Sequence, residues 1–354
     1  MRRLAVFSTG LSVALAGGAA AACPSCPAPV RDIVMERYYA DAAGSAVDAD
    51  KKRAKDEATA PLKAFRDAIS DSADAAVVFH SSGKVPSGSS GLSAKCAVSW
   101  LADWARGGAL LGRMSSKQAE AQRRFELAGL ALAYIKLIPD ASSEDRAAIE
   151  PWLVVVADKA RAVFEDTGIK RNNHWYWMGL GLGAVGHATG SKRHLDAARE
   201  IMRDAARDIA PNGTLPLELA RGGRALHYHG FAAMALAPLA EIGAAHGEDW
   251  YQLNDGALHR LIHVTSLGLA DPSVFDRAAG SLQQRPPAAH AGFLHLYRSR
   301  FPTRLPGVNL PTRQSPSHLY LGGDVALLRS ALGLPKTSPV DTKADVHTPA
   351  RQLR

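Results

Sequence analysis

Apolar residues recur at intervals of three and four through most of this 354-residue chain, the spacing that sets one face of a helix against a core. Between 92 and 113, Cys96, Trp100, Leu101 and Trp104 form such a stripe. The same pattern predicts helices over 118–138, 144–165, 173–189, 192–209, 224–246 and 250–269, and a shorter one over 289–298. Stop signals follow several of them: Pro139, the turn Pro211-Asn212-Gly213, and Asp271-Pro272. Pro151 interrupts the helix over 144–165 without ending its pattern. Ahead of the helices, 24–50 reads as an extended, proline-bearing strap, 51–75 as a charged, partly helical segment and 81–90 as a Gly/Ser loop. Residues 273–288 read as irregular, 301–318 as a proline-rich loop and 321–334 as a short helix started by glycine. Strand alternation is almost absent, so the expected fold class is all-α. A ring of antiparallel helix hairpins would collect loops at one end, where a groove could form. The periodicity establishes the helices and not the ring.

Composition narrows the choice of partner. The length allows one large domain or two small ones. Alanine and leucine are abundant and β-branched runs scarce, which favours helix. The formal net charge is +8, and +6 once Arg2 and Arg3 leave with a leader. That balance suits an acidic partner: nucleic acid, an anionic membrane or an acidic polysaccharide. The basic residues are dispersed and not interleaved with aromatics, so no nucleic acid is expected.

The first 22 residues read as a secretion signal, with Arg2 and Arg3, an apolar stretch over 4–15 and small residues at 19–22 for cleavage. No later stretch is a membrane-span candidate, so a periplasmic or secreted protein is expected. Its domain would run over 23–334, followed by a disordered tail over 335–354. Cys23 directly after the leader admits a lipoprotein site, although Ala20 stands where such sites favour leucine. Of the three cysteines, Cys26 and Cys96 are the expected disulfide, tying the strap to the first core helix. Cys23 is then removed, lipidated or free. Cys23-x-x-Cys26 lacks the setting of a redox motif.

Two stretches carry chemistry. Arg171-Asn172-Asn173-His174-Trp175-Tyr176-Trp177 gathers amides, an imidazole, a cation and three aromatic rings. Arg221-Gly222-Gly223-Arg224-Ala225-Leu226-His227-Tyr228-His229 supplies cations and a phenol. Facing each other across a groove, they would suit a polar, ring-shaped, acidic ligand. The plainer readings are an asparagine helix cap, aromatic core packing and a solvated arginine face. In a helix, 174 and 177 share a face while 175 points elsewhere, which makes Trp177 the groove ring and Trp175 the core ring. Glycine costs roughly 1 kcal/mol inside a helix, so the double glycine places the helix start near Arg224 and Arg221 on the approach loop. Arg221, Arg224 and Tyr228 then fall on one side. His259 and His263 lack the glutamate of a zinc protease, and Gly181-Leu182-Gly183 falls short of a dinucleotide fingerprint.

With these residues the chain resembles the periplasmic alginate lyases of polysaccharide lyase family five. The resemblance rests on Asn172-Asn173-His174-x-Tyr176-Trp177, the interval from His174 to Arg221, and Arg224 to His229. Supporting it are Cys96-Ala97 through Trp104-Ala105-Arg106, Leu215-Pro216-x-Glu218-Leu219 and Leu321-Gly322-Gly323-Asp324. It implies an (α/α) toroid or incomplete helical barrel, and metal-free, cofactor-free β-elimination of a polyuronate. Asn173, His174 and Arg221 would hold the substrate carboxylate, with Tyr228 as base and acid and a nearby guanidinium favouring its ionised form. Mannuronate, whose two reacting groups are syn, suits a single tyrosine; for an anti arrangement His174 is the alternative base. Trp177, Arg224, His227, His318 and Tyr320 are the expected substrate-binding residues. Tyr320 stands where relatives often carry arginine, and His227 where alginate-specific members can have a small residue. Both departures leave acceptance of glucuronate or hyaluronate-type polymers open. A monomer is expected. The segment around 38–63 should form a lid, with no lysine assignable.

Two other readings remain. An inverting glycoside hydrolase would need opposed carboxylates about 6.5–9.5 Å apart, with Glu218 and Asp103 the best available. A non-catalytic polysaccharide-binding envelope protein would bind without releasing product.

Overall fold

A computed structural model describes residues 22–41, 44, 46–84, 91–166, 171–305 and 317–335. Of the expected leader over 1–22 and the expected tail over 335–354, residues 1–21 and 336–354 lie outside the described residues. The helices in chain order are α1 (Ala49–Ala58), α2 (Ala60–Ser82), α3 (Ala94–Arg106), α4 (Lys117–Leu137), α5 (Ser143–Asp166), α6 (Asn173–Thr189) and α7 (Lys192–Asp208). They continue as α8 (Pro216–Leu219), α9 (Ala225–Ala245), α10 (Leu253–Ala270), α11 (Ser273–Ala279), α12 (Phe293–Arg300) and α13 (Leu328–Ala331). Among the described residues the only paired strands are Ser317–His318 and Gly323–Asp324.

These helices form two layers. Helices α2, α4, α6 and α9 pack side by side as an inner row, while α3, α5, α7 and α10 lie behind them. Sequence decides which helix goes where. In α4, α6 and α9 nearly every position is buried; α6 and α9 are largely apolar all round, while α4 buries Gln122, Arg123, Arg124, Glu126 and Lys136 among its apolar residues. In α7 the buried residues are His194, Ala197, Ala198, Ile201, Met202, Ala205 and Ala206, a single stripe that suits an outer layer. The inner helices run parallel. Arg66 in the first third of α2 pairs with Glu126 in the first half of α4, and Lys136 near the end of α4 reaches Asp74 further along α2 at 2.6 Å. At the far ends of α6 and α9, His187 meets His246 at 3.2 Å. The chain is an incomplete (α/α) toroid, and the starts of its inner helices gather at one end. The partial positive charges of their N-termini gather there too.

Where pattern and structure differ, packing explains the difference. The helix expected over 92–113 stops at Arg106 because the strap crosses it: a Cβ on Gly107 would lie 2.5 Å from Pro29. The charged segment after the strap continues as α2 to Ser82, its buried face carrying Leu62, Phe65 and Ile69. Phe65 stacks on Trp104 with ring centroids 3.5 Å apart. The stretch over 273–288 contains α11, and 321–334 holds one strand of the pair, short turns and α13. No described helix is long and apolar enough to cross a membrane.

The disulfide is Cys23–Cys96, not the expected Cys26–Cys96. Register along α3 is the reason. Trp100 Nε1 donates to Pro24 O at 3.0 Å, and Trp104 Nε1 to Pro27 O at 2.9 Å. That alignment sets Cys23 beside Cys96 and Cys26 a turn further on, where its thiol faces Trp100 O at 3.7 Å. The bond also occupies the sulfur that a lipid anchor on Cys23 would need.

Candidate active site

The start of α6 supplies the first half of the site. Asn172 is the N-cap, its Oδ1 accepting from His174 N at 3.1 Å, so the plain capping reading holds for that residue. Asn173 is 0 % exposed. Its backbone N–H and its Nδ2 both donate to Glu218 Oε1 at 2.8 Å. Glu218 stands on α8, the single turn between α7 and α9. Asn173 Oδ1 and Glu218 Oε2 are left without hydrogen-bond partners. Both are acceptors, so what satisfies them is a donor such as a water or a sugar hydroxyl and not a carboxylate.

His174 lies half-buried against Phe125, ring centroids 5.9 Å apart. Arg124 Nη2 approaches its Nδ1 at 3.5 Å. A guanidinium only donates, so Nδ1 accepts and the ring proton sits on Nε2. Burial, then the charges of Arg124 and Arg221, push the His174 pKa down to about 3, which keeps the ring neutral. Arg124 is itself buried, and its Nε and Nη1 find no partner.

The second half comes from the approach to α9. Arg221 precedes a single 3-10 turn, Gly222–Arg224, and the α-helix begins at Ala225. This is the start expected from the double glycine. The Arg221 guanidinium lies 3.7 Å from the Tyr228 ring centroid, and that of Arg224 lies 5.1 Å from it. The hydrogen bonds of Arg124 and Arg224 go to His174, to His227 and to Gly44 O, none of them a carboxylate. Three guanidiniums therefore converge with little neutralisation, an arrangement that favours an anion.

Tyr228 reaches the strap. Its hydroxyl is 3.0 Å from that of Tyr39, which is 3.0 Å from that of Tyr38. Burial pushes the Tyr228 phenol up, and Tyr39 adds to that; the two arginines pull it down without winning. The arginines act in the expected direction, but the net shift is opposite to the expectation. For Tyr39 burial pushes up, while hydrogen bonds to Tyr228 and Tyr38 and the charge of Arg224 bring the net shift down. Two phenols this close release their protons as a pair, the first eased by the cations and the second opposed.

The expected binding residues divide. Arg224 and His227 are at the site, with Arg224 Nη2 2.9 Å from His227 Nε2. Burial, with His290 and the arginines, pushes the His227 pKa down to about 2. Trp177 is a correction: it is 0 % exposed, donates to Phe231 O at 3.0 Å and packs on Phe125, so it offers no face to a sugar. The spacing grouped it rightly with His174, but α6 is buried all round and its deeper turns are core. Tyr320 stacks on Phe125 at 4.9 Å and meets Gln122 at 3.3 Å. The Arg66 guanidinium lies 4.9 Å over its ring, so a cation from α2 stands beside Tyr320. The His318 side chain lies outside the described residues. Lys63 is turned away, paired with Asp67 at 2.5 Å. Of the hydrolase pair, Glu218 is spent on Asn173, and Asp103 is a surface residue paired with Arg106 at 3.1 Å.

Sequence reasoning missed Arg124, Tyr38 and Tyr39, and gave Glu218 a different role. Arg124 left a trace: consecutive arginines inside a helix otherwise destined for the core. The tyrosines left only their adjacency and their place at the start of the segment expected to form a lid.

Comparison with known proteins identifies the family and the fold. The pattern defining the alginate lyase family matches residues 32–275. A polysaccharide lyase of Stenotrophomonas maltophilia (strain K279a) is 36% identical over 331 residues, covering 92% of this chain and 95% of its own. An alginate lyase of Azotobacter vinelandii is 33% identical over 277 residues, 75% of this chain and 72% of its own. Among solved structures, a variant of alginate lyase A1-III complexed with a tetrasaccharide superposes with a TM-score of 0.72 at 21% identity, over 86% of this chain and 85% of that one. Alginate lyase A1-III from Sphingomonas species A1 gives 0.69 at 22% identity over the same shares. The chain belongs to the alginate lyase family.

Proposed function

We propose that this polysaccharide lyase cleaves mannuronate-rich alginate or a closely related polyuronate by β-elimination, leaving an unsaturated sugar at the new non-reducing end. The observation that carries the reading is the place of Arg221: its guanidinium lies 3.7 Å from the Tyr228 ring centroid, and its charge reaches both His174 and the Glu218 that holds Asn173. The C5 proton of a uronate is weakly acidic while its carboxylate keeps a full charge. Donors from Asn173 Nδ2, His174 Nε2 and Arg221 spread that charge and stabilise the enolate-like intermediate. Tyr228 takes the C5 proton in its ionised form, the minority form that Arg221 and Arg224 favour against burial and Tyr39. The freed electron pair forms the C4–C5 double bond, the C4–O4 bond breaks, and Tyr228 returns the proton to O4. Tyr228 ends as it began, so the cycle closes.

Base and acid on one atom suit syn elimination, as in mannuronate. With its Nδ1 lone pair directed at Arg124, His174 serves as a donor and not as a base, so guluronate should be a poor substrate. A periplasmic or extracellular location belongs to the same proposal and is supported by the Cys23–Cys96 disulfide, since such bonds persist in oxidising compartments. The test is ultraviolet absorbance of the conjugated double bond, with purified protein offered polymannuronate, polyguluronate, polyglucuronate and hyaluronate at several pH values. Rising absorbance with polymannuronate supports the reading. Chain shortening without absorbance would mean hydrolysis, and binding without shortening a non-catalytic protein.

A further inference from the structure

A second basic cleft opens beside the catalytic cluster. Its volume is about 470 Å³, and its walls are Ser116, Lys117, Glu120 and Arg123 from the start of α4 with Lys159 and Val163 from the last turns of α5. It lies at the same end of the toroid as the site, because α4 runs parallel to α6 and α5 returns toward the start of α6. Arg123 is the residue before Arg124, and consecutive side chains on a helix diverge by roughly 100°. One arginine thus faces His174 while the next lines the neighbouring cleft.

Three cations there face one carboxylate. Arg123 is only 5 % exposed, bonded to Glu120 and, at 3.3 Å, to Lys159 O. Its Nε is buried without a partner. Lys117 and Lys159 are exposed at the rim, and neither ammonium forms an ion pair among the described residues. Ser116 caps α4, so the positive end of that 21-residue helix points the same way. Nothing in the elimination chemistry uses these groups.

We infer that this cleft is a remote subsite that holds the carboxylate of a uronate unit further along the same polymer chain. The inference rests on the polyuronate reading of the catalytic site. A chain lying over His174 and crossing α4 carries a carboxylate on every sugar, so one of them passes over Lys117 and Lys159. A short substrate that fills only the catalytic cluster never reaches it.

The experiment compares wild type with the double variant Lys117→Ala/Lys159→Ala on long polymannuronate and on a trimer or tetramer. Both lysines are exposed, so folding is not at stake. Losing two such contacts should raise KM for the polymer about tenfold and leave kcat unchanged. It should also flatten the salt dependence of the polymer KM and leave kcat/KM for the short oligomer unaltered. An unchanged polymer KM, or an equal loss on long and short substrates, overturns the subsite and leaves the catalytic reading standing. If wild type turns over no polyuronate, the catalytic reading fails instead. The cleft is then judged by calorimetric titration of the same polymer into both proteins: weaker binding by the double variant supports it, and equal binding overturns it.

Discussion

Tyr228 draws the eye, yet two side chains that touch no reacting atom decide whether the site is assembled. Glu218 fixes Asn173 by accepting from both its backbone N–H and its amide. Glu218→Ala would leave two buried donors unpaired, at a cost of about 1–3 kcal/mol each, and free the amide to turn. The expected outcome is a fall in kcat of roughly a hundredfold with a smaller change in KM, read by steady-state absorbance kinetics. His229 is the second. Its Nδ1–H donates to Ala225 O at 2.8 Å, and its Nε2 accepts from Leu215 N at 2.8 Å, the residue that leads into α8 and so to Glu218. Burial holds its pKa near about 4, below the ordinary value near 6.5 that it regains on unfolding. Between these values the unfolded chain binds a proton that the folded chain refuses, so this stability is complete above pH 6.5 and declines as pH falls toward 4. Melting curves of His229→Gln should therefore lose less Tm between pH 6.5 and 4.5 than those of wild type. Equal slopes would mean that this imidazole does not titrate with unfolding. Asn173, His174, Arg221 and Tyr228 stood out as candidates because the two stretches that hold them gather unusual chemistry, and the roles given to them came from the family resemblance. The part of Glu218 could not, because a carboxylate that positions an amide looks the same in sequence as one that waits to act.

Helix α6 lies where its pattern placed it, from Asn173 to Thr189, because a capping asparagine and a closing Gly190 mark both ends. Its orientation was not legible. Period 3.6 says which residues share a face, and in a helix buried on every side it does not say which face meets the groove. Trp177 was misassigned on that account. The strap was still less legible, since an extended segment has no periodicity to reveal its partners. In the structure it brings Tyr38 and Tyr39 onto Tyr228 and carries Gly44 against the arginines. Gly44 has φ +70°, and a Cβ there would stand 2.6 Å from Arg221 Nη2. Gly44→Ala should thus push the strap or the guanidinium out of place, lowering kcat/KM at least tenfold while Tm moves by only a few degrees. An alanine variant with wild-type kinetics would show that the strap's contact with Arg221 does not matter for turnover.

At the scale of the molecule, parallel inner helices point their positive ends, and three poorly neutralised guanidiniums, at one mouth. That geometry requires the strap to stay down, and the Cys23–Cys96 bond anchors its beginning across a separation of 73 residues. Closing a loop of that length constrains the unfolded chain by roughly 4 kcal/mol. Cys23→Ser should lower Tm by several degrees under oxidising conditions and leave Cys26 as the only remaining partner for Cys96. The pairing was out of reach of spacing alone, because either cysteine could meet Cys96 until the register of Pro24 and Pro27 on Trp100 and Trp104 was known. The account stands or falls on the Tyr228 hydroxyl, so the most direct measurement is kcat of Tyr228→Phe on polymannuronate, with circular dichroism to confirm the fold. It predicts a loss of about a thousandfold or more, in line with removal of a positioned acid–base group. Activity within tenfold of wild type in a folded variant would contradict it.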